Sequence, residues 1–114
     1  MGTAGVAGQG SNQTNIPYGL AFDSLGALYV ADYSNHRVQK ITMNTLTVVT
    51  VAGQANRTVG NDRYHLNMPV HMTFDSKDNM YLSDRGNSRV QFFTRGNLSG
   101  MTVAGITSKF YVLF

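Results

Sequence analysis

The chain has no cysteine and no glutamate, and only 13% of its 114 residues are charged. The missing cysteine excludes a disulfide framework, a thiolate metal site and a cysteine nucleophile. It leaves the redox compartment open. With no glutamate, and with little lysine or alanine, the residues that favour helix are scarce, while glycine, asparagine, threonine and valine are plentiful. That balance predicts strands and tight turns. No run approaches the roughly 20 apolar residues of a membrane span. The opening Met-Gly-Thr-Ala-Gly-Val-Ala-Gly lacks the basic and apolar regions of a signal peptide, and Val6 breaks the myristoylation pattern begun at Gly2. The net charge of +3 comes mainly from six arginines, too few to argue for nucleic acid on charge alone. Hydrophobic residues reach 42%, enough for the packed core of one small domain.

The sequence repeats. Asn15-Ile16-Pro17 returns as Asn67-Met68-Pro69, Phe22-Asp23-Ser24 as Phe74-Asp75-Ser76, and Thr50-Val51-Ala52-Gly53 as Thr102-Val103-Ala104-Gly105, each 52 residues later. Tyr29 and Asp32 return as Tyr81 and Asp84, and Arg37-Val38-Gln39 as Arg89-Val90-Gln91. Across residues 15–41 and 67–93, 11 of 27 positions are identical. A partial third copy, Gly5-Val6-Ala7-Gly8, opens the chain. Nine residues follow that Val-Ala-Gly up to Pro17, whereas sixteen follow the next one up to Pro69. Length that varies between fixed strands predicts a surface loop.

Each copy predicts four strands. In the first they are Tyr18 to Phe22, Leu28 to Ala31, Arg37 to Thr42 and Leu46 to Ala52. In the second they are Val70 to Phe74, Met80 to Ser83, Arg89 to Thr94 and Met101 to Ala104. Asp23-Ser24-Leu25-Gly26 reads as the first hairpin turn, with Gly26 free to take positive φ. Four short antiparallel strands per repeat of about 50 residues is the pattern of a propeller blade.

The run N-x-P-x-G-L-A-F-D-S-x-G-x-L-Y-V-A-D-x-x-N-H-R-V-Q-K, from Asn15 to Lys40, resembles an NHL repeat. The second copy departs from it at His71 for glycine, Asp78 for the turn glycine and Ser88 for histidine. The expected fold is all-β, an incomplete propeller of two four-stranded antiparallel NHL blades. Residues 1–8 would be an outer strand of a preceding blade, 9–53 and 54–105 the two blades, and 106–114 a divergent apolar tail. The resemblance implies a closed ring, most often of six blades. Six such repeats need about 310 residues, and a blade must be sandwiched by neighbours to hide both apolar faces. The chain is expected to be a fragment of a longer propeller. Two alternatives stand beside that: a homotrimer closing a six-bladed ring, and an open pair.

Strand order puts the loops between second and third strands on the same side as the connection between blades. That side carries Tyr33, His36, Arg37, Arg57, Arg63, Tyr64, His65, Arg85 and Arg89, against Asp32, Asp62 and Asp84. Arginine among aromatic side chains suits a protein partner or single-stranded RNA. Arg37 and Arg89 share a repeat position, which favours hydrogen bonding to the Asp-x-x-Asn corner before them. Arg57, Arg63 and Arg85 have no counterpart and are the better contact candidates. Asp23 and Asp75 each begin a hairpin, where aspartate caps its own backbone rather than serving as a catalytic pair. No serine sits in a nucleophile elbow.

His36, His65 and His71 are the only imidazoles that could bind zinc. Peptide-amidating lyases, which the resemblance brings into view, place their zinc-binding histidine directly after the proline of the first strand. Tyr18 and Val70 stand there, and His71 comes one residue late, which on an alternating strand reverses its direction. Asn12, Asn56 and Asn97 begin N-glycosylation sequons in predicted loops, compatible with secretion. The reading is a non-enzymatic protein-interaction module with no cofactor and no membrane partner. The alternatives are an RNA-binding face and a metal-dependent lyase or hydrolase. Some relatives append such a propeller to a ubiquitin-ligase RING and B-box region, whose zinc-binding cysteines this sequence lacks.

Overall fold

The computed structural model describes residues 17–105, and the expectations placed on 1–16 and 106–114 lie outside them. Strands β1 (Pro17–Phe22), β2 (Leu28–Asp32), β3 (Arg37–Thr42) and β4 (Thr47–Gly53) form one antiparallel sheet in that order. Strands β5 (Pro69–Phe74), β6 (Met80–Asp84), β7 (Arg89–Phe93) and β8 (Met101–Gly105) form a second sheet of the same order. Among the described residues every strand differs from its expected bounds by a residue or less. A 3-10 turn, Tyr33–Asn35 in one sheet and Arg85–Asn87 in the other, makes each corner between second and third strands. The turn ends on a left-handed residue, His36 at φ 55° and Ser88 at φ 52°.

The two sheets pack face to face as adjoining blades. From the first blade, Tyr29, Ala31, Val38 and Ala52 meet Met72, Met80, Leu82 and Phe93 of the second. The opposite face of the first blade carries its own apolar cluster, Leu28, Val30 and Ile41. The innermost strands β1 and β5 approach so closely that a Cβ at Gly19 would collide with the Val70 carbonyl. Glycine is therefore required there by the packing of one blade on the next.

Both first strands carry a β-bulge, between Pro17 and Leu20 and between Pro69 and Met72. The bulge corrects the sequence argument about His71. Simple alternation fails across an extra residue, so a one-residue offset from the strand's proline does not by itself set that side chain's direction.

The hairpin aspartates cap their turns as expected. Asp23 Oδ1 accepts from the Leu25 and Ala27 amides at 3.0 Å each, and Oδ2 accepts from the Tyr29 hydroxyl at 2.9 Å. Burial, followed by that bond to a carboxylate, pushes the Tyr29 phenol well above its ordinary range. Asp75 Oδ1 accepts from the Lys77 amide at 2.9 Å and the Asn79 amide at 3.0 Å, and the carboxyl lies below its ordinary range, chiefly through the Asn79 amide.

Candidate functional loop face

The side that gathers the corner turns and the inter-blade connection is built on two buried arginines. Arg37 Nε donates to Asp32 Oδ2 at 2.9 Å, both side chains having no exposed surface, and Nη1 donates to the Ala55 carbonyl at 3.0 Å. Arg89 Nε donates to Asp84 Oδ2 at 2.8 Å. Its remaining nitrogens reach the carbonyls of Asn61 at 2.8 Å and of Asp62 and His65 at 2.9 Å. A planar guanidinium with five donors in a fixed fork suits such a task, binding a carboxylate on one edge and carbonyls on the other. The two arginines thus hold the connection between the blades at its start and in its middle. Both lie beneath the surface, so they leave the set of contact candidates, as their shared repeat position foretells.

Asp84 also accepts from the Asn67 amide at 2.7 Å and from Asn87 Nδ2 at 2.8 Å. Burial nevertheless pushes its carboxyl up from the ordinary range, against the pull of those donors and of Arg89. Asn87 Nδ2 further reaches the Gly60 carbonyl at 2.8 Å, and the Gly86 amide donates to the Asn67 carbonyl at 2.7 Å. The corner of the second blade and the connection are one hydrogen-bonded unit.

The other candidates scatter over this unit. Tyr33 meets Tyr18 edge-on, with ring centroids 4.5 Å apart. His36 Nδ1 accepts from the Met68 amide at 3.1 Å, fastening the first corner to the end of the connection. His65 Nδ1 and Asp62 Oδ1 lie 2.6 Å apart, and that contact holds the Asp62 carboxyl below its ordinary range. The Tyr64 ring is half exposed, while Gln54 Nε2 donates to its carbonyl at 2.8 Å. Arg85 is exposed and Arg57 half-buried, at φ 70°.

Arg63 is exposed but does not stay with them. Its carbonyl accepts from the Gly100 amide at 2.7 Å, and Gly100 precedes β8 at the opposite end of the sheet. The connection therefore dips along the outer edge before returning to Pro69. Its Leu66 is buried in the core between the blades. The three histidines end in three separate settings: a corner, the connection and the bulged inner strand. Among the described residues no three His, Cys, Asp or Glu side chains gather as metal ligands.

One contact between blades was not foreseen. Ser24 donates its amide to Asp78 Oδ1 at 2.9 Å and its hydroxyl to Oδ2, holding the Asp78 carboxyl below its ordinary range. Asp78 stands where the first repeat has turn glycine, and takes the same left-handed conformation at φ 62°. The signal available in the sequence was that departure itself: an aspartate in a glycine position, with a serine in the preceding blade's turn.

Comparison with known proteins agrees with the fold. The family model described as NHL repeat matches residues 14–41. A probable peptidyl-alpha-hydroxyglycine alpha-amidating lyase of Caenorhabditis elegans is 31% identical over 85 residues, which are 73% of this chain and 24% of that protein. NHL repeat-containing protein 3 of Mus musculus is 29% identical over 100 residues, 83% of this chain and 27% of that protein. The chain thus spans about a quarter of the length of these relatives. Among solved structures, a selenomethionine-substituted virginiamycin B lyase from Staphylococcus aureus aligns with a TM-score of 0.59 at 15% identity, over 80% of this chain and 27% of that one. A catalytically inactive form of the enzyme with quinupristin aligns at 0.56 and 16%, over 76% of this chain and 27% of that one. At that identity the likeness concerns the fold, which is a β-propeller.

Proposed function

The chain carries an NHL repeat and folds as two adjoining blades of a β-propeller, and from that premise we propose that it serves as a non-enzymatic module binding a protein partner through its loop face. One observation carries the reading. The buried pairs Arg37–Asp32 and Arg89–Asp84 consume both corner aspartates inside the fold. The surface then presents Arg57 and Arg85 on that face and Arg63 on the adjoining outer edge of the same connection, with Tyr64 half exposed in the connection and Tyr18 half exposed beside Tyr33. Cations beside aromatic rings on a scaffolded loop suit an acidic protein surface, where arginine and tyrosine are the side chains that most often carry binding energy.

The exposed Tyr18 and Tyr64 rings also offer stacking platforms, and this favours single-stranded RNA as the second reading. The experiment is affinity capture with the 114-residue chain, followed by titration of the purified partner against wild type and the triple variant Arg57→Ala, Arg63→Ala, Arg85→Ala. The expected result is a loss of about tenfold or more in affinity with an unchanged circular dichroism spectrum. Full binding by the triple variant contradicts the face assignment. Binding of unstructured poly(U) that collapses steeply with salt, with no protein captured, replaces the protein reading by the RNA one.

A further inference from the structure

The connection between the blades closes only part of the gap it enters. The inner strands β1 and β5 meet at Gly19 and Val70, and the blades of a ring splay outward from such a contact. Toward the loop face the opening is filled by the connection, with Leu66 buried and the Arg63 carbonyl bonded to the Gly100 amide. Past Gly100, toward the hairpin end, the two sheets leave a cleft of about 310 Å³ that the connection does not line. That is room for about ten waters, and it falls within the range of small-molecule sites.

The floor of the cleft is apolar, formed by Tyr29, Val51, Phe74, Met80 and Phe93. The Tyr29 and Phe74 rings lie with centroids 4.5 Å apart, and the Tyr29 hydroxyl is already satisfied by Asp23 Oδ2 at 2.9 Å. Two cations stand on the walls. Lys40 Nζ lies 5.8 Å from the centre of the Tyr29 ring and has no carboxylate partner among the described residues. Arg95 Nη1 is 3.8 Å from Asp78 Oδ2, beyond hydrogen-bond distance, and its side chain is 56% exposed. Asp78 is the one carboxylate among the lining residues, and both of its oxygens accept from Ser24. Two positive charges thus face a single negative charge that is largely satisfied elsewhere. The blade architecture asks for neither cation, because the repeat counterpart of Lys40 is Phe92 and that of Arg95 is Met43. The two departures lie on different blades and meet at this cleft.

We propose that the cleft binds a small aromatic carboxylate, its ring among Tyr29, Phe74 and Phe93 and its charge between Lys40 and Arg95. A flat ring takes apolar area out of water there and finds offset or edge contacts with the aromatic floor. The carboxylate answers the surplus positive charge, and Arg95 offers it a planar pair of donors. A neutral aromatic uses the floor alone, and a small hydrated anion uses the cations alone. Both walls are formed by described residues of this chain, so the site is complete between the two blades. It lies at the end opposite the loop face and shares no residue with the protein-binding reading, so either can fail without the other.

Titration of the 114-residue chain with 2-naphthoate and with its neutral analogue 2-naphthamide, followed by amide chemical shifts in NMR, tests the site. Naphthoate should shift the amides of Lys40, Val51 and the turn from Thr94 to Leu98, and bind about tenfold more tightly than naphthamide. Lys40→Met and Arg95→Met should each weaken naphthoate by about threefold, and together by about tenfold, while naphthamide binding stays as it was. Lys77→Gln, an exposed cation outside the cleft, should change neither ligand. The proposal is overturned if millimolar naphthoate leaves those amides unmoved, or if naphthamide binds wild type equally well. Both of these results are read on wild type and do not depend on how a variant folds. Undiminished naphthoate binding by the folded double variant overturns it as well.

Discussion

Replacing Arg89 by lysine keeps the charge and removes the fork, and so measures what the buried guanidinium does. Arginine there makes four donated bonds, one to Asp84 and three to carbonyls of the connection. A single ammonium cannot span them. If it follows Asp84, three carbonyls lose their donor; each hydrogen bond is worth about 0.5–1.5 kcal/mol net, and the exposed edge at Asn61 and Asp62 admits water, so the loss is about 2–3 kcal/mol. If it follows the carbonyls, a buried carboxylate loses its cation, which costs about 3–5 kcal/mol. Asp84 keeps the Asn67 amide and Asn87 Nδ2, which places the loss at the low end of that range. Both routes converge on about 3 kcal/mol, a large share of the roughly 5–15 kcal/mol that holds a domain together. Urea unfolding followed by circular dichroism reads the total. Trypsin reads the local part, because Arg57 and Arg63 lie in the connection that Arg89 holds and should be cut sooner in the variant. Arg63→Lys, at an exposed site, should stay within about 0.5 kcal/mol of wild type. A loss below about 1 kcal/mol for Arg89→Lys, with unaltered trypsin cleavage, would refute the account of the buried fork.

Two further outcomes bear on the contact between blades. The Asp78 carboxyl lies below the ordinary value of 3.8 because Ser24 donates to its charged form, so its contribution is whole above that value and is lost as pH falls through the folded one. Asp62 and Asp75 act in the same sense, whereas Asp84, pushed up by burial, favours the folded state as pH falls toward 3.8. Urea midpoints should therefore drop below about pH 4, and Asp78→Asn should flatten that drop; parallel curves for the two proteins would count against the Ser24 contact. Gly19→Ala forces β1 and β5 apart and should lower stability by about 1–3 kcal/mol in the same assay, and a change within about 0.5 kcal/mol would mean the strands do not meet there.

What was legible in the sequence was whatever both repeats share. Asp23 with Asp75, and Arg37 with Arg89, appear twice in matching surroundings, so their structural roles could be read from the chain alone. Gln39 and Gln91 are also shared, yet nothing in the sequence marked them as buried. Their carboxamide oxygens accept from Thr50 and Thr102 of the neighbouring strand, a pairing that only the register reveals. The Ser24–Asp78 contact, signalled only by an aspartate in a glycine position, and the path of Arg63 escaped the sequence reading for another reason. Comparing two repeats aligns each residue with its counterpart, whereas packing sets each residue against the blade next door. A departure from the repeat looks like decay until the neighbour it touches is known.

The longer connection in this chain follows from the same geometry. Blades that meet at the inner strands diverge toward the outer ones, and the gap that opens has to be filled. Sixteen residues, from Gln54 to Pro69, are enough for the chain to descend along the outer edge and return. The descending part is fixed by Gly100 at Arg63, the returning part by the Val59–Leu66 bridge and by Leu66 itself, buried between the blades. Arg89 then receives three carbonyls from the turn between them. The same segment that fills the gap carries Arg57, Arg63 and Tyr64. Filling requires its backbone and Leu66 to face inward, which leaves the long polar side chains directed outward. In this connection the packing of blade on blade and the display of a basic surface are one structural solution, and shortening it would forfeit both.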